Sequence, residues 1–134
     1  MLPVSLFVRR IGAFVGAMPL FLACTAGGPG APLSPSVFQE AMRAPGAQVV
    51  DVRTPAEFAS GHLEGARNLD WTGGVLAQRM VELDKEAPVL VYCASGRRSA
   101  AAAQALREGG FLHVSDLAGG IGAWQASGLP VIDR

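Results

Sequence analysis

Residues 88–99 read Pro-Val-Leu-Val-Tyr-Cys-Ala-Ser-Gly-Arg-Arg-Ser, and they are the most informative segment for predicting the fold. The apolar run over 88–92 is typical of a parallel strand that is buried on both faces. Residues 99–108 are mostly alanine and leucine, which are strong helix formers, and Gly109-Gly110 ends that helix. The sequence therefore predicts that Cys93 lies between the carboxyl end of a buried strand and the start of a helix.

The same alternation of strands and helices extends along the chain on both sides. A helix capped by Ser34 or Ser36 is predicted to run to about Arg43, with Gln39 placed for a capping box with Ser36. Further strands are predicted at 48–52, 66–69 and 113–117, with a short end at 131–132, and further helices at 55–60, 75–83 and 121–127. Alternating strands and helices indicate an α/β fold with a parallel sheet, helices on both faces and ligands at the carboxyl ends of the strands.

Cys93 is the candidate nucleophile. A free cysteine thiol has a pKa near 8.5 and is only about 3% thiolate at pH 7, but unpaired N–H groups at a strand-to-helix turn stabilise an anion. The alternative is a small buried residue that simply finishes a strand. Gly96 and the arginines Arg97 and Arg98 favour the nucleophile, because a tight loop with positive charge is what an anion-handling cysteine needs.

Composition excludes several classes of function. The 134 residues suffice for one ordinary domain, and 11 basic residues balance 11 acidic ones, so no long-range field would recruit nucleic acid. The two cysteines, Cys24 and Cys93, are too far apart for a disulfide framework or paired zinc ligands. No spacing suggests a metal, a nucleotide or a flavin, so no cofactor is predicted.

The N-terminal segment is predicted to be an export signal over residues 1–26. Arg9 and Arg10 precede an uncharged run over 11–23, and small residues follow. Cys24 has two interpretations: lipidation at a loose lipobox, which would attach the chain to a membrane, or ordinary cleavage near Ala26. A flexible tether is predicted over 27–32 and the folded domain over 33–134. The protein is expected to be periplasmic or anchored on the extracytoplasmic side of a membrane.

Several motifs within residues 33–134 resemble those of the rhodanese-like domain family. They are Asp51-Val52-Arg53 with Glu57-Phe58, Gly61-His62-Leu63-Glu64-Gly65-Ala66-Arg67-Asn68-Leu69, Cys93-Ala94-Ser95-Gly96-Arg97-Arg98-Ser99, Leu117-Ala118-Gly119-Gly120 with Trp124, and Gly128-Leu129-Pro130-Val131. Any one of these strings is weak by itself. Their order across one domain makes the resemblance specific.

The resemblance implies a three-layer α/β/α fold with a five-stranded parallel sheet. It also implies a sulfurtransferase, in which Cys93 takes a sulfur atom from a small-molecule donor such as thiosulfate and passes it as a persulfide to cyanide or a thiol. The backbone from Ala94 to Ser99 would then bind the substrate, including Ser95 and Gly96. Arg97 or Arg98 would hold the anionic end of the donor; in the alternative assignment Arg98 braces the loop against Asp51 or Glu57, and only Arg97 faces the substrate.

Two other functions are weighed beside sulfur transfer. The same family contains phosphatases and arsenate reductases, whose loop is one residue longer, and here Ser99 occupies the position where they carry arginine. A non-catalytic exported binding module is the other, although a scaffold would not need Cys93. His62 is interpreted as structural, Asp51 and Arg53 as an ion pair, and Trp71 as either a pocket-lining or a packing residue.

Overall fold

The structure is a computed structural model in which residues 30–134 are described. The predicted signal segment, Cys24 and residues 27–29 of the predicted tether lie outside the described residues. None of the helices within 30–134 is both long enough and apolar enough to cross a membrane.

Strands and helices alternate along the described chain, as the sequence predicts. The helices are α1 (Pro35–Ala41), α2 (Pro55–Ala59), α3 (Val75–Arg79), α4 (Arg97–Glu108) and α5 (Gly120–Ala126). The strands are β1 (Gln48–Asp51), β2 (Arg67–Asn68), β3 (Val89–Tyr92) and β4 (Val114–Asp116), and a 3-10 turn at Met80–Glu82 extends α3.

The four strands form one parallel sheet in the order β2-β1-β3-β4. Along β3, Val89 and Val91 point to one face, while Leu90 and Tyr92 point to the other. The first face packs against α3 and α4 in a cluster that includes Leu76, Ala102, Ala103 and Leu106. The second packs against α1 and α5 in a cluster that includes Phe38, Leu63, Ile121 and Trp124. The fold is therefore the predicted three-layer arrangement.

The number of strands differs from the expected five. At the outer edge of β4, Leu33 makes a single parallel bridge to Leu117 in place of a strand. Its N–H donates to the Asp116 carbonyl at 2.7 Å, and its carbonyl accepts from Ala118 N–H at 2.8 Å. Within the described residues the pairing goes no further, because the preceding Pro32 has no N–H to donate and α1 begins two residues later.

The capping box lies in a different helix from the one predicted. Ser34 is the N-cap of α1, but its side chain makes no capping hydrogen bond, and the predicted box between Ser36 and Gln39 is absent. A complete box stabilises α2 instead: the Thr54 hydroxyl accepts from Glu57 N–H at 3.3 Å, and the Glu57 carboxylate accepts from Thr54 N–H at 3.3 Å. This box fixes Glu57 in the first turn of α2.

Candidate active site

Cys93 follows β3 directly and is 1% exposed. Helix α4 begins at Arg97, two residues earlier than predicted, with Gly96 as its N-cap. Gly96 has φ +100°, a conformation that a residue with a side chain rarely adopts. This turn brings the Gly96 N–H to 3.0 Å from Cys93 Sγ, and Ser99 Oγ lies 3.5 Å from the same sulfur.

The environment of Cys93 favours the thiolate. Burial by itself raises the pKa of the thiol. Hydrogen bonding with the Ser99 hydroxyl, together with hydrogen bonding from the backbone N–H groups of Ser99, Gly96 and Ser95, outweighs burial, so the pKa lies below its ordinary value. The predicted loop thus forms a cradle of N–H donors around a sulfur atom.

Arg98 is held by Glu57 in a two-point ion pair. Arg98 Nη1 lies 2.7 Å from Glu57 Oε1 and Nη2 lies 2.9 Å from Oε2. The hydrogen bond from Arg98 lowers the pKa of the Glu57 carboxyl to about 2. Of the two partners that the sequence suggested for Arg98, the structure selects Glu57.

Arg97 is exposed at the first position of α4. Its guanidinium makes no hydrogen bond to any residue within 30–134. Of the two loop arginines, Arg98 is therefore paired with a carboxylate of the described chain and Arg97 is not.

Asp51 and Arg53 form a buried ion pair beside the loop, as the sequence predicts. Arg53 Nη2 donates to Asp51 Oδ2 at 2.6 Å and to the Gly61 carbonyl at 2.7 Å. The Arg53 guanidinium also lies 5.6 Å from the centre of the Tyr92 ring. The pair ties the end of β1 to the loop before β2 and leaves no free charge for substrate.

His62 is placed as a packing residue, and Trp71 lies beside the apolar cluster that contains Cys93. His62 Nδ1 lies 2.9 Å from the Phe58 carbonyl, and its ring stacks on the Phe58 ring at 3.7 Å. No hydrogen bond joins His62 to Cys93. Trp71 is half-buried and packs against the apolar cluster that contains Cys93. Within residues 30–134, no three His, Cys, Asp or Glu side chains are grouped so that they could bind a metal ion.

Sequence reasoning missed the support beneath the active loop. The Ile121 N–H donates to the Cys93 carbonyl at 2.9 Å, and the Gly122 N–H donates to the Ala94 carbonyl at 3.2 Å. Both donors belong to the first turn of α5. The Gly119-Gly120 pair was the available signal, but a glycine pair in sequence predicts only a turn and not what the turn touches.

Comparisons with known proteins agree on one family. The model of the family described as Rhodanese-like domain matches residues 34–127. The chain is 44% identical over 78 residues to "Uncharacterized protein YqhL" of Bacillus subtilis, which covers 58% of this chain and 60% of that protein, less than two thirds of its length. It is 41% identical over 95 residues to "Thiosulfate sulfurtransferase GlpE" of Ectopseudomonas mendocina, which covers 71% of this chain and 84% of that protein. Among solved structures, a rhodanese-related protein from Thermoplasma volcanium superimposes with a TM-score of 0.69 at 31% identity, covering 77% of this chain and 98% of the other.

Proposed function

The chain belongs to the rhodanese-like domain family, and we propose that it is a sulfurtransferase that carries a sulfane sulfur on Cys93. The observation that carries the proposal is the cradle around Cys93 Sγ, in which the Gly96 N–H lies 3.0 Å away and the pKa of the thiol is lowered. A buried cysteine with a purely structural role would gain nothing from donors aimed at its sulfur. The relatives named thiosulfate sulfurtransferase support the same chemistry.

The proposed reaction has two displacements at sulfur. In the first, the Cys93 thiolate attacks the outer sulfur of thiosulfate, the S–S bond of the donor breaks, and sulfite leaves with its electron pair. Cys93 is left as a persulfide anion. In the second, cyanide or a thiolate attacks the outer sulfur of that persulfide, and the Cys93 thiolate is regenerated. Charge balances in both steps, and no external oxidant or reductant is needed.

The loop and Arg97 have separate roles in this mechanism. The N–H groups of Ser95, Gly96 and Ser99 stabilise the thiolate and then the persulfide anion that replaces it. Arg97 binds the anionic end of the donor, since Arg98 already pairs with Glu57. Arg98 holds the first turn of α4 in place.

Intact mass spectrometry tests the proposal directly. Thiosulfate should add the mass of one sulfur atom to the purified protein, and cyanide should remove it as thiocyanate. Cys24→Ser is the matched control, because Cys24 is the only other cysteine in the sequence. The mass gain should persist in Cys24→Ser and disappear in Cys93→Ser. Thiocyanate formation at the native rate by Cys93→Ser would overturn the proposed mechanism.

Export is a further part of the proposal, and it rests on the sequence of residues 1–26. Arginines at 9 and 10, an uncharged run over 11–23 and small residues after it support a cleaved signal. The sulfurtransferase would then act outside the cytoplasm on donors and acceptors present there. Attachment to a membrane through a lipid on Cys24 is the alternative to a freely diffusing domain.

A further inference from the structure

The N-terminus of helix α5 lies against the backbone of the active loop. The first N–H groups of a helix have no partner within the helix and must be satisfied elsewhere. In α5, the Gly120 N–H donates to the Leu117 carbonyl at 3.1 Å within the preceding turn. The next two N–H groups donate to acceptors outside the helix: the Ile121 N–H donates to the Cys93 carbonyl at 2.9 Å, and the Gly122 N–H donates to the Ala94 carbonyl at 3.2 Å.

These two hydrogen bonds fix the direction in which two of the loop's N–H groups point, those of Ala94 and Ser95. In a planar trans peptide, the carbonyl and the N–H point in opposite directions. Because the Ala94 carbonyl is turned toward α5, the N–H of the same peptide group, which belongs to Ser95, is turned away from α5. Hydrogen bonding from the Ser95 N–H is among the interactions that favour the Cys93 thiolate. The helix thus orients a donor that it does not itself supply to the sulfur.

The close approach of the helix to the loop requires glycine at position 120. A Cβ atom at Gly120 would lie 2.5 Å from the carbonyl carbon and oxygen of Ala94 and 2.5 Å from the Cys93 carbonyl oxygen. All three atoms belong to the backbone, so no flexible side chain can move aside. The active loop also lies close to the turn that precedes α5, since a Cβ atom at Gly96 would lie 3.4 Å from the backbone nitrogen of Gly119.

Helix α5 is itself anchored in the core and can serve as a fixed support. Ile121 and Trp124 are buried, and the Trp124 ring packs edge-on against Phe38 with a centroid distance of 6.3 Å. The Trp124 indole N–H donates to the Pro130 carbonyl at 2.9 Å. Because the helix is held at these points, a side chain added at its N-terminus should displace the loop and not the helix.

We propose that Gly120 is a positioning residue for the Cys93 loop: it allows the α5 N-terminus to hold the Cys93 and Ala94 carbonyls, which orients the Ser95 N–H of the loop. The effect on sulfur transfer rests on the proposed function. The effect on the thiol itself does not, because the same donors stabilise the Cys93 thiolate whatever reaction it performs.

Gly120→Ala tests the proposal, with Gly128→Ala as the matched control. Both glycines have positive φ, +61° and +77°, so alanine strains the backbone at either site. A Cβ at Gly128 meets nothing within 4 Å, whereas at Gly120 it meets the loop backbone. Both variants are made in a Cys24→Ser background, so that Cys93 is the only thiol. The measurements are the pH dependence of alkylation by iodoacetamide, thiocyanate formation from thiosulfate and cyanide, and circular dichroism for folding.

We expect Gly120→Ala to raise the pH midpoint of alkylation by about one unit and to slow sulfur transfer by about tenfold or more. Gly128→Ala should leave the alkylation midpoint unchanged and the rate of sulfur transfer within about twofold of the parent protein, even where it loses thermal stability. A folded Gly120→Ala with the parent's alkylation profile would overturn the proposal. If the parent protein transfers no sulfur, the proposed function fails, while the alkylation profiles still decide the role of Gly120.

A second pair of variants covers the case in which Gly120→Ala does not fold. Gly122 is exposed, lies in the helix without positive φ, and a Cβ there would lie 3.4 Å from the Ala94 carbonyl oxygen. Gly122→Val therefore places a bulky side chain against the same Ala94 carbonyl. The contact is less severe than at Gly120, where a Cβ atom would lie 2.5 Å from that oxygen. Gln125→Val places the same side chain at an exposed position of the same helix. Gly122→Val should raise the alkylation midpoint and Gln125→Val should not; equal midpoints in these two variants would contradict the proposal.

Discussion

Arg98 and Glu57 are 41 residues apart in the sequence and form a two-point ion pair with N–O distances of 2.7 and 2.9 Å. Thr54 holds Glu57 from the other side, because its hydroxyl and its N–H both donate to Glu57 Oε1. The pair joins the first turn of α2 to the first turn of α4. It therefore fixes the active loop at its helical end, while α5 fixes the loop at its strand end.

Replacing Glu57 with glutamine should destabilise the protein and should do so in a pH-dependent way. The folded-state pKa of Glu57 is about 2, below its ordinary value of 4.5, so the pair's contribution is complete above pH 4.5 and is lost as the pH falls toward 2. We expect Glu57→Gln to lower the free energy of unfolding by about 1 kcal/mol at pH 7. Urea unfolding at pH 7 and at about pH 2.5 measures this, and the difference should shrink at the lower pH.

The control for this experiment is Glu40→Gln. Glu40 pairs with Arg43 at 2.8 Å, but its side chain is 73% exposed, compared with 35% for Glu57. An exposed pair contributes little, so this variant should lose less than about 0.5 kcal/mol. Equal losses in the two variants would show that the Arg98–Glu57 pair has no special role.

Replacing Arg97 with alanine should weaken binding of an anionic donor without altering the nucleophile. We expect KM for thiosulfate to rise by up to about fivefold with little change in kcat, since an exposed guanidinium contributes at most about 1 kcal/mol to an anion contact. Steady-state thiocyanate formation gives both constants, and Arg43→Ala serves as a remote arginine control. A fall in kcat with KM unchanged would instead place Arg97 in the chemical step.

Replacing Ser99 with alanine should make Cys93 less reactive near neutral pH. The Ser99 hydroxyl is the largest of the interactions that lower the pKa of Cys93, and burial would then weigh more heavily. We expect the alkylation midpoint to lie below that of a free cysteine in the parent protein and to move upward in Ser99→Ala. Ser127→Ala removes a hydroxyl that donates to Ala123, far along α5, and should leave the midpoint unchanged.

Loop length should determine which chemistry the site performs. The loop runs six residues from Cys93 to Arg98, and a phosphatase of the same family would need one residue more. The parent protein should therefore turn over thiosulfate and hydrolyse aryl phosphates negligibly. Inserting one glycine after Ser95 should reduce sulfur transfer by about a hundredfold, because it displaces the N–H donors. Undiminished transfer by the insertion variant, or substantial phosphatase activity in the parent, would refute this.

Cell fractionation tests the proposed export. The full-length protein should accumulate outside the cytoplasm, with residues near the N-terminus removed. If Cys24 carries a lipid, Cys24→Ser should release the protein from the membrane fraction. Membrane association that is the same with and without Cys24 would exclude lipidation at this residue, and an uncleaved cytoplasmic protein would exclude the export signal.

Local sequence pattern was sufficient for the element order and for the position of Cys93. A short apolar run closed by a charged residue predicted the strand around 48–52, a second apolar run flanked by helix-like stretches predicted the strand at 88–92, and an alanine-rich segment predicted α4. Most element bounds moved by one or two residues, but α3 ends at Arg79, four residues before its predicted end, and a 3-10 turn follows it. Helix α4 begins at Arg97 because Gly96 adopts φ +100° and caps the helix there. The expected count of five strands was wrong for the described residues, where the sheet has four strands. The predicted short end at 131–132 makes only a single antiparallel bridge, between Ile132 and His62, and Leu33 makes only a single bridge at the edge of β4 in the described chain.

Local sequence pattern was enough to predict that a cysteine follows a buried strand and precedes a helix, because strand and helix formation depend on periodicities within windows of about 11 to 18 residues. Tertiary contacts were needed to show that Arg98 pairs with Glu57 rather than Asp51, and that Ile121 and Gly122 donate to the loop carbonyls. Both carboxylates lie near the carboxyl end of β1, and local pattern cannot rank them. In the folded chain Arg53 pairs with Asp51 in the interior. Glu57, which is bound by Thr54, is therefore the carboxylate that is left to pair with Arg98 of α4.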